Sequence, residues 1–220
     1  MLRHEVAGER LHVHPERALW WADQRLLVLA DVHLGKASSF RKLGVPIPRG
    51  TTRGNFARLT ALVEALKPKT LVVLGDLVHD RRGLTAAVVA EGAAWRDRHA
   101  ALEWLVVAGN HDRRAGELPR EWRIENVGDV HDVGPFTLRH DPPERCPAGR
   151  YILAGHIHPA VQLLEPGGGR MKAACFWFGR DCGVLPAFGK FTGTHVVRPR
   201  AGDGVFVVGE GEIVRIATHR

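Results

Sequence analysis

The sequence predicts an α/β protein, with elements of α+β: two β-sheets packed face to face and helices on the outside. Three observations predict it. Apolar runs in the first half stop at a glycine or a carboxylate, as strands buried on both faces do. Amphipathic helical patterns separate these runs, which is the order of a parallel βαβ unit. From about residue 122 onward the apolar pieces are short and separated by Gly, Pro and Asp, the mark of an all-β half.

In chain order, Leu11–His14 and Ala18–Trp21 flank a Pro15-Glu16 turn and read as a hairpin. His12 and His14 share one face of it, which reads as an exposed polar face rather than a metal site. Leu26–Ala30 is a buried strand that ends in Asp31-Val32-His33. A loop follows, carrying Gly35, Lys36, Arg41, Lys42, Pro46, Pro48 and Arg49. Thr51 or Thr52 is placed to cap a helix through Phe56, Leu59, Leu62, Val63 and Leu66, closed by Pro68. The central strand, Leu71–Leu74, ends in Gly75-Asp76. A second helix covers 84–99, with Val88, Val89 and Trp95 on its apolar side. The third strand, Glu103–Ala108, ends in Gly109-Asn110-His111-Asp112.

The second half reads as strands at 124–127, Phe136–Arg139, Tyr151–Ala154, Val161–Leu164, Val205–Val208 and 212–216. Gly167-Gly168-Gly169 is a turn rather than a linker, so residues 1–220 are expected to form one domain. Two strand ends here carry histidine: Arg139-His140-Asp141 and Gly155-His156-Ile157-His158.

The side chains at these ends are Asp31, His33, Asp76, Asn110, His140, His156 and His158. Seven nitrogen and oxygen donors are too many for one ion. With Asp76 as a bridge they divide into four per ion. The mixture suits Mn²⁺, Fe²⁺, Co²⁺, Zn²⁺ or Mg²⁺ and is not a soft thiolate site. Two such ions clamp a phosphoryl group for in-line attack.

The bulk numbers agree with a folded protein, and its basic charge favours a polyanionic partner. Hydrophobic residues are 45% and charged residues 25%, the net charge is +7, and the pI is about 9.9. Three cysteines, Cys146, Cys175 and Cys182, form neither a disulfide framework nor a zinc motif. No membrane-length apolar run and no signal-type N-terminus is present, so a cytoplasmic protein with no membrane association is expected.

Asp31-x-His33, Gly75-Asp76, Gly109-Asn110-His111-Asp112 and Gly155-His156-x-His158, in that order, resemble the calcineurin-like metallophosphoesterases. Each piece is weak alone; the four in order, each after an apolar strand, are specific. The resemblance implies that Asp31, His33 and His158 hold one metal. Asn110, His140 and His156 hold the other, and Asp76 bridges them. It gives His111 a proton or hydrogen bond to donate at the phosphate or leaving oxygen, and gives Asp112 the task of orienting His111. His131 rivals His140; His140 is preferred because it ends the cleaner strand. His79, just after Asp76, lies beside the site and reads as structural rather than catalytic.

The flanks carry a narrower resemblance: Leu34-Gly35-Lys36-Ala37, Val45-Pro46-Ile47-Pro48, Cys175-Phe176-Trp177, and the 185–193 segment Leu-Pro-Ala-Phe-Gly-Lys-Phe-Thr-Gly. These look like the bacterial ligase-associated DNA damage response metallophosphoesterases. That family implies a manganese-dependent phosphodiesterase, an endonuclease or end-processing nuclease in DNA repair, beside a DNA ligase and a helicase. A metal-bridging hydroxide would attack phosphorus in line. DNA is the expected partner, with Arg81, Arg82, Arg113 and Arg114 at the metal rim. The rival functions are a small-molecule phosphatase or cyclic-nucleotide phosphodiesterase, and a non-catalytic protein-binding scaffold.

Overall fold

The computed structural model describes residues 1–47, 50–164 and 167–218. Pro48 and Arg49 of the basic loop lie outside the described residues. Among these residues the first sheet has seven strands, in the order β1 (Leu2–Val6), β2 (Glu9–His14), β3 (Ala18–Trp21), β4 (Leu26–Leu29), β5 (Thr70–Leu74), β6 (Glu103–Val107) and β7 (Glu125–Asn126). β1 to β4 run antiparallel, whereas β4 to β7 pair in parallel.

The second sheet contains β8 (Val130–Val133), β9 (Phe136–Arg139), β10 (Tyr151–Ala154), β11 (Pro159–Leu164), β12 (Arg170–Phe178), β13 (Cys182–Val184), β14 (His195–Val196), β15 (Gly204–Val208) and β16 (Ile213–Ile216). Its order is β14-β11-β12-β13-β10-β9-β8, with β15 on β12 and β16 on β15. The helices are α1 (Lys36–Lys42), α2 (Thr51–Leu66), α3 (Ala86–Arg98) and α4 (Asn110–Ala115).

Strand periodicity sorts the core into two layers. Leu27, Leu29, Leu71, Val73, Trp104 and Val106 face the helices and pack on Phe56, Leu59, Leu62, Val88 and Trp95. The alternate residues Leu26, Val28, Ala30, Val72, Leu74, Leu105 and Val107 face the second sheet. There they meet Phe136, Leu138, Leu153, Phe176, Leu185 and Phe206. β4, β5 and β6 are therefore covered on both faces, which is why their sequences are unbroken apolar runs.

Three local features differ from the sequence expectation. The stretch after Gly35, read as loop, begins with the short helix α1. Helix α2 is not capped by a threonine: Gly50, at φ +96°, is its N-cap and no side chain accepts there. β12, the longest of the described strands, has a weak sequence signal because its first three residues, Arg170-Met171-Lys172, are exposed and break the alternation. No described helix is long and apolar enough to cross a membrane.

Candidate metal centre

The parallel strands β4, β5 and β6 deliver their carboxyl-end loops to one place, where open α/β sheets put their chemistry. Backbone hydrogen bonds stitch these loops together. Asp31 N–H donates to the Gly75 carbonyl at 3.2 Å and His33 N–H to the Asp76 carbonyl at 2.9 Å. Within the second sheet Gly155 N–H donates to the His140 carbonyl at 3.0 Å, and that sheet joins the first through His156 N–H, which donates to Asp31 Oδ2 at 2.9 Å. The loops after β4, β5, β9 and β10 thus form one floor.

Five of the seven expected ligands sit on left-handed backbone: Asp31 (φ 53°), His33 (51°), Asp76 (50°), His156 (68°) and His158 (49°). Each costs about 1–2 kcal/mol for an L-residue, and such strain gathers where a site must be held in shape. Gly75, at φ +72°, turns the chain where a Cβ would collide with the His140 ring. A Cβ on Gly155 would lie 2.7 Å from Asp31 Oδ2. These two glycines let the loops of the two sheets close on each other.

The first group is Asp31, His33 and His158, whose donor atoms lie within 4.8 Å of one another. His158 Nδ1–H donates to the Gly193 carbonyl at 2.9 Å, which aims its Nε2 at Asp31 Oδ1, 3.4 Å away. His33 Nε2 is 3.9 Å from Asp76 Oδ2. Asp31 Oδ1, both ring nitrogens of His33 and Nε2 of His158 are buried with no protein hydrogen bond. Buried polar atoms left without hydrogen-bond partners are costly, and a cation among them would satisfy them. Burial, reinforced by Lys36, holds His33 down to a pKa of about 2, the neutral form that ligates metal.

The second group is Asp76, His140 and His156. His140 Nδ1–H donates to the Leu74 carbonyl at 2.9 Å, leaving Nε2 to face Asn110 Oδ1 (3.1 Å), His156 Nδ1 (3.0 Å) and Asp76 Oδ1 (3.5 Å). Asn110 therefore joins this group. The carbonyl partner fixes each tautomer, as outer partners of ligating histidines do. Asp76, almost wholly buried, turns Oδ1 to this group and Oδ2 to the first. Burial raises its pKa. His131 lies on the strand β8, paired with Leu138, and is not brought to either group.

His111 is held from an unexpected side. Its Nδ1–H donates to the His79 carbonyl at 2.6 Å, its ring stacks on His79 at 4.6 Å, and its Nε2 lies 3.9 Å from Asp76 Oδ2. Asp112, expected to orient this ring, has its hydrogen bonds elsewhere. Asp112 accepts backbone N–H bonds from Val78 at 3.0 Å and Gly109 at 3.1 Å. Its carboxylate ties the β5 loop to the start of α4, because the amides at a helix start need an acceptor. Burial raises its pKa.

A model of the calcineurin-like phosphoesterase family matches residues 24–158, more than half of the chain. This chain belongs to the calcineurin-like phosphoesterases. A solved structure, the nuclease MPE of Pseudomonas putida, is 32% identical over 98% of this chain and 99% of that one, with a TM-score of 0.85. Another, the phosphoesterase Yfce from E. coli, is 16% identical over 88% of this chain and 99% of that one; its TM-score of 0.46 is too low to bear on the fold. Among curated proteins no sequence matches significantly. The chain is thus a metal-dependent phosphoester hydrolase, and both groups described above have the donors for a divalent ion.

Two features of this calcineurin-like phosphoesterase were not singled out from its sequence. Asp141 Oδ1 is 3.3 Å from His156 Nδ1, so a half-exposed carboxylate borders the second group. The 185–193 segment, noted in the sequence only for its family resemblance, supplies the Gly193 carbonyl that aims His158. It reaches that position because Phe188 N–H donates to Ala30 and Gly189 N–H to Asp31.

Proposed function

We propose that the protein is a two-metal phosphodiesterase that cuts DNA, as an endonuclease or end-processing nuclease in repair, with Mn²⁺ as its ion. The observation that carries this reading is Asp76, one buried carboxylate with an oxygen toward each donor group. Asp31, His33 and His158 would hold one ion and Asn110, His140 and His156 the other, with Asp76 shared. Bound there, divalent ions supply positive charge for the phosphoryl oxygens and lower the pKa of water. The mixed nitrogen and carboxylate donors suit Mn²⁺.

The chain's own residues do the rest. The His79 carbonyl fixes the proton on His111 Nδ1, so Nε2 is the atom that takes up or gives a proton at the leaving oxygen. Asp76 Oδ1 accepts the His111 N–H at 2.9 Å, so the bridging carboxylate and the acid–base histidine keep a fixed spacing. Arg81 and Arg82 after the β5 loop and Arg114 on α4 are exposed and would meet flanking phosphates, which position a strand without reading its sequence. Arg113 is partly neutralised by Asp129 at 2.6 Å. The likeness to a nuclease at 32% identity supports a nucleic-acid substrate. Three free cysteines accord with a reducing cytoplasm, where a DNA ligase and a helicase would be its companions.

The test is the purified protein with Mn²⁺ against single-stranded, duplex and gapped DNA, a chromogenic phosphodiester, a cyclic nucleotide and a phosphomonoester. Metal-dependent DNA cleavage that weakens steeply with salt is expected. Fast monoester hydrolysis with intact DNA would instead make the protein a small-molecule phosphatase.

A further inference from the structure

A pocket of about 260 Å³ opens beside the first donor group, and His33 forms part of its wall. The rest of the wall comes from three separate pieces of chain: Lys36 on α1, Thr51 and Thr52 at the start of α2, and Lys190, Phe191 and Thr192 after the segment that aims His158.

The chemistry of this wall is divided. Lys36 is half-buried, and among the described residues its ammonium has no ion pair or hydrogen bond, although Asp76 and Asp31 attract it. Lys190 is exposed and also has no ion pair. The N-cap of α2, Gly50, has no side chain to accept from the first amides of the helix. Two cations and uncapped amides around one small space favour an anion. Phe191 is apolar, yet 48% exposed, and no described aromatic ring packs against it. A large apolar ring left bare beside a cationic pocket fits a ligand with both a flat face and a negative charge.

We propose that this pocket is the subsite for the nucleotide adjacent to the scissile phosphate, its phosphate toward Lys36, Lys190 and the start of α2, and its base on Phe191. The assignment rests on the nuclease reading above. It makes His33 the shared wall between the reacting phosphate and its neighbour. It also explains why basic residues that ligate no metal surround the site. Aromatic stacking suits such a subsite because every base has a π-face.

The experiment compares kcat/KM for a single-stranded oligonucleotide with kcat/KM for bis(p-nitrophenyl) phosphate, which carries no nucleotide, both with Mn²⁺. Phe191→Ala and Lys190→Ala should each lower the ratio of oligonucleotide to reporter about tenfold. Phe191→Tyr should restore it, and Lys190→Ala should also flatten the salt dependence of DNA binding. Circular dichroism and the melting temperature establish that each variant is folded; both side chains lie at the surface. If wild-type protein cuts DNA but the ratio is unchanged in both alanine variants, the subsite is wrong and the nuclease reading stands. If wild-type protein hydrolyses the reporter and no DNA, the nuclease reading fails and the subsite with it.

Discussion

Gly75→Ala removes no ligand and should still cripple the second donor group. Gly75 has φ +72°, and a Cβ there overlaps the His140 ring, with Gly109 Cα only 2.8 Å away. Alanine in left-handed backbone costs about 1 kcal/mol. Moving His140 breaks its hydrogen bond to Leu74, about 1 kcal/mol net. Shifting a packed turn adds about 1–3 kcal/mol. The total is about 3–5 kcal/mol, and at about 2–4 °C per kcal/mol for a chain of this size the metal-free protein should melt about 10 °C lower. Because His140 can no longer be aimed by Leu74, Mn²⁺ affinity at that group should fall about tenfold to a hundredfold. Calorimetry in chelator gives the first quantity and a Mn²⁺ titration the second. A melting temperature within a degree or two of wild type, together with an unchanged titration, would refute the close approach of Gly75 to His140.

Other outcomes follow from the same geometry. Asp76→Asn should abolish metal-dependent hydrolysis of a chromogenic diester while circular dichroism shows a folded protein; full activity would remove Asp76 from the reaction. His111→Ala should keep its metal content by elemental analysis yet lose about 10²- to 10⁴-fold in kcat. Asp112→Ala should lower stability by about 2–3 kcal/mol in denaturant titration, because two buried amides lose their acceptor. In chelator, His33 should make the protein acid-sensitive. Its folded pKa of about 2 lies below the ordinary 6.5, so its contribution is present above pH 6.5 and is lost as the pH falls. Between pH 7 and pH 5 this amounts to about 2 kcal/mol. Asp76, raised by burial, acts in the opposite sense, so the measurement is the difference between wild type and His33→Gln, in which the other groups cancel.

The donor set was legible because its physics is local. An apolar run ending in Gly-Asp, Gly-Asn-His or Gly-His-x-His states both a strand and the polar atom at its end, and Leu71–Asp76 shows both at once. The central strands were legible for the same reason, since burial on both faces leaves no polar residue to blur the pattern. What escaped depended on other parts of the chain. The preference for His140 over His131 rests on strand pattern alone, whereas it is sheet pairing that sends one inward and leaves the other on β8. The His79 carbonyl that holds His111 is a backbone atom, invisible to any reading of side chains. Asp112 followed a familiar pattern of carboxylate beside histidine, but the amides of Val78 and Gly109 were nearer claimants. β1 was missed because Arg3, His4 and Glu5 make an edge strand look like a polar leader.

The left-handed turns under Asp31, His33, Asp76, His156 and His158 also govern whether this centre can be transplanted. A donor atom can be copied into another protein by one substitution. The reversal of the chain at that donor cannot, because it is written in the neighbours that hold the turn. A scaffold given only the seven side chains at the ends of regular strands would point them along ordinary extended backbone, and they would diverge. A scaffold given the five strand-end loops whole, with Gly75 and Gly155 in place, would carry the convergence with it. The unit of inheritance for this site is the loop, and the ligand is only its visible tip.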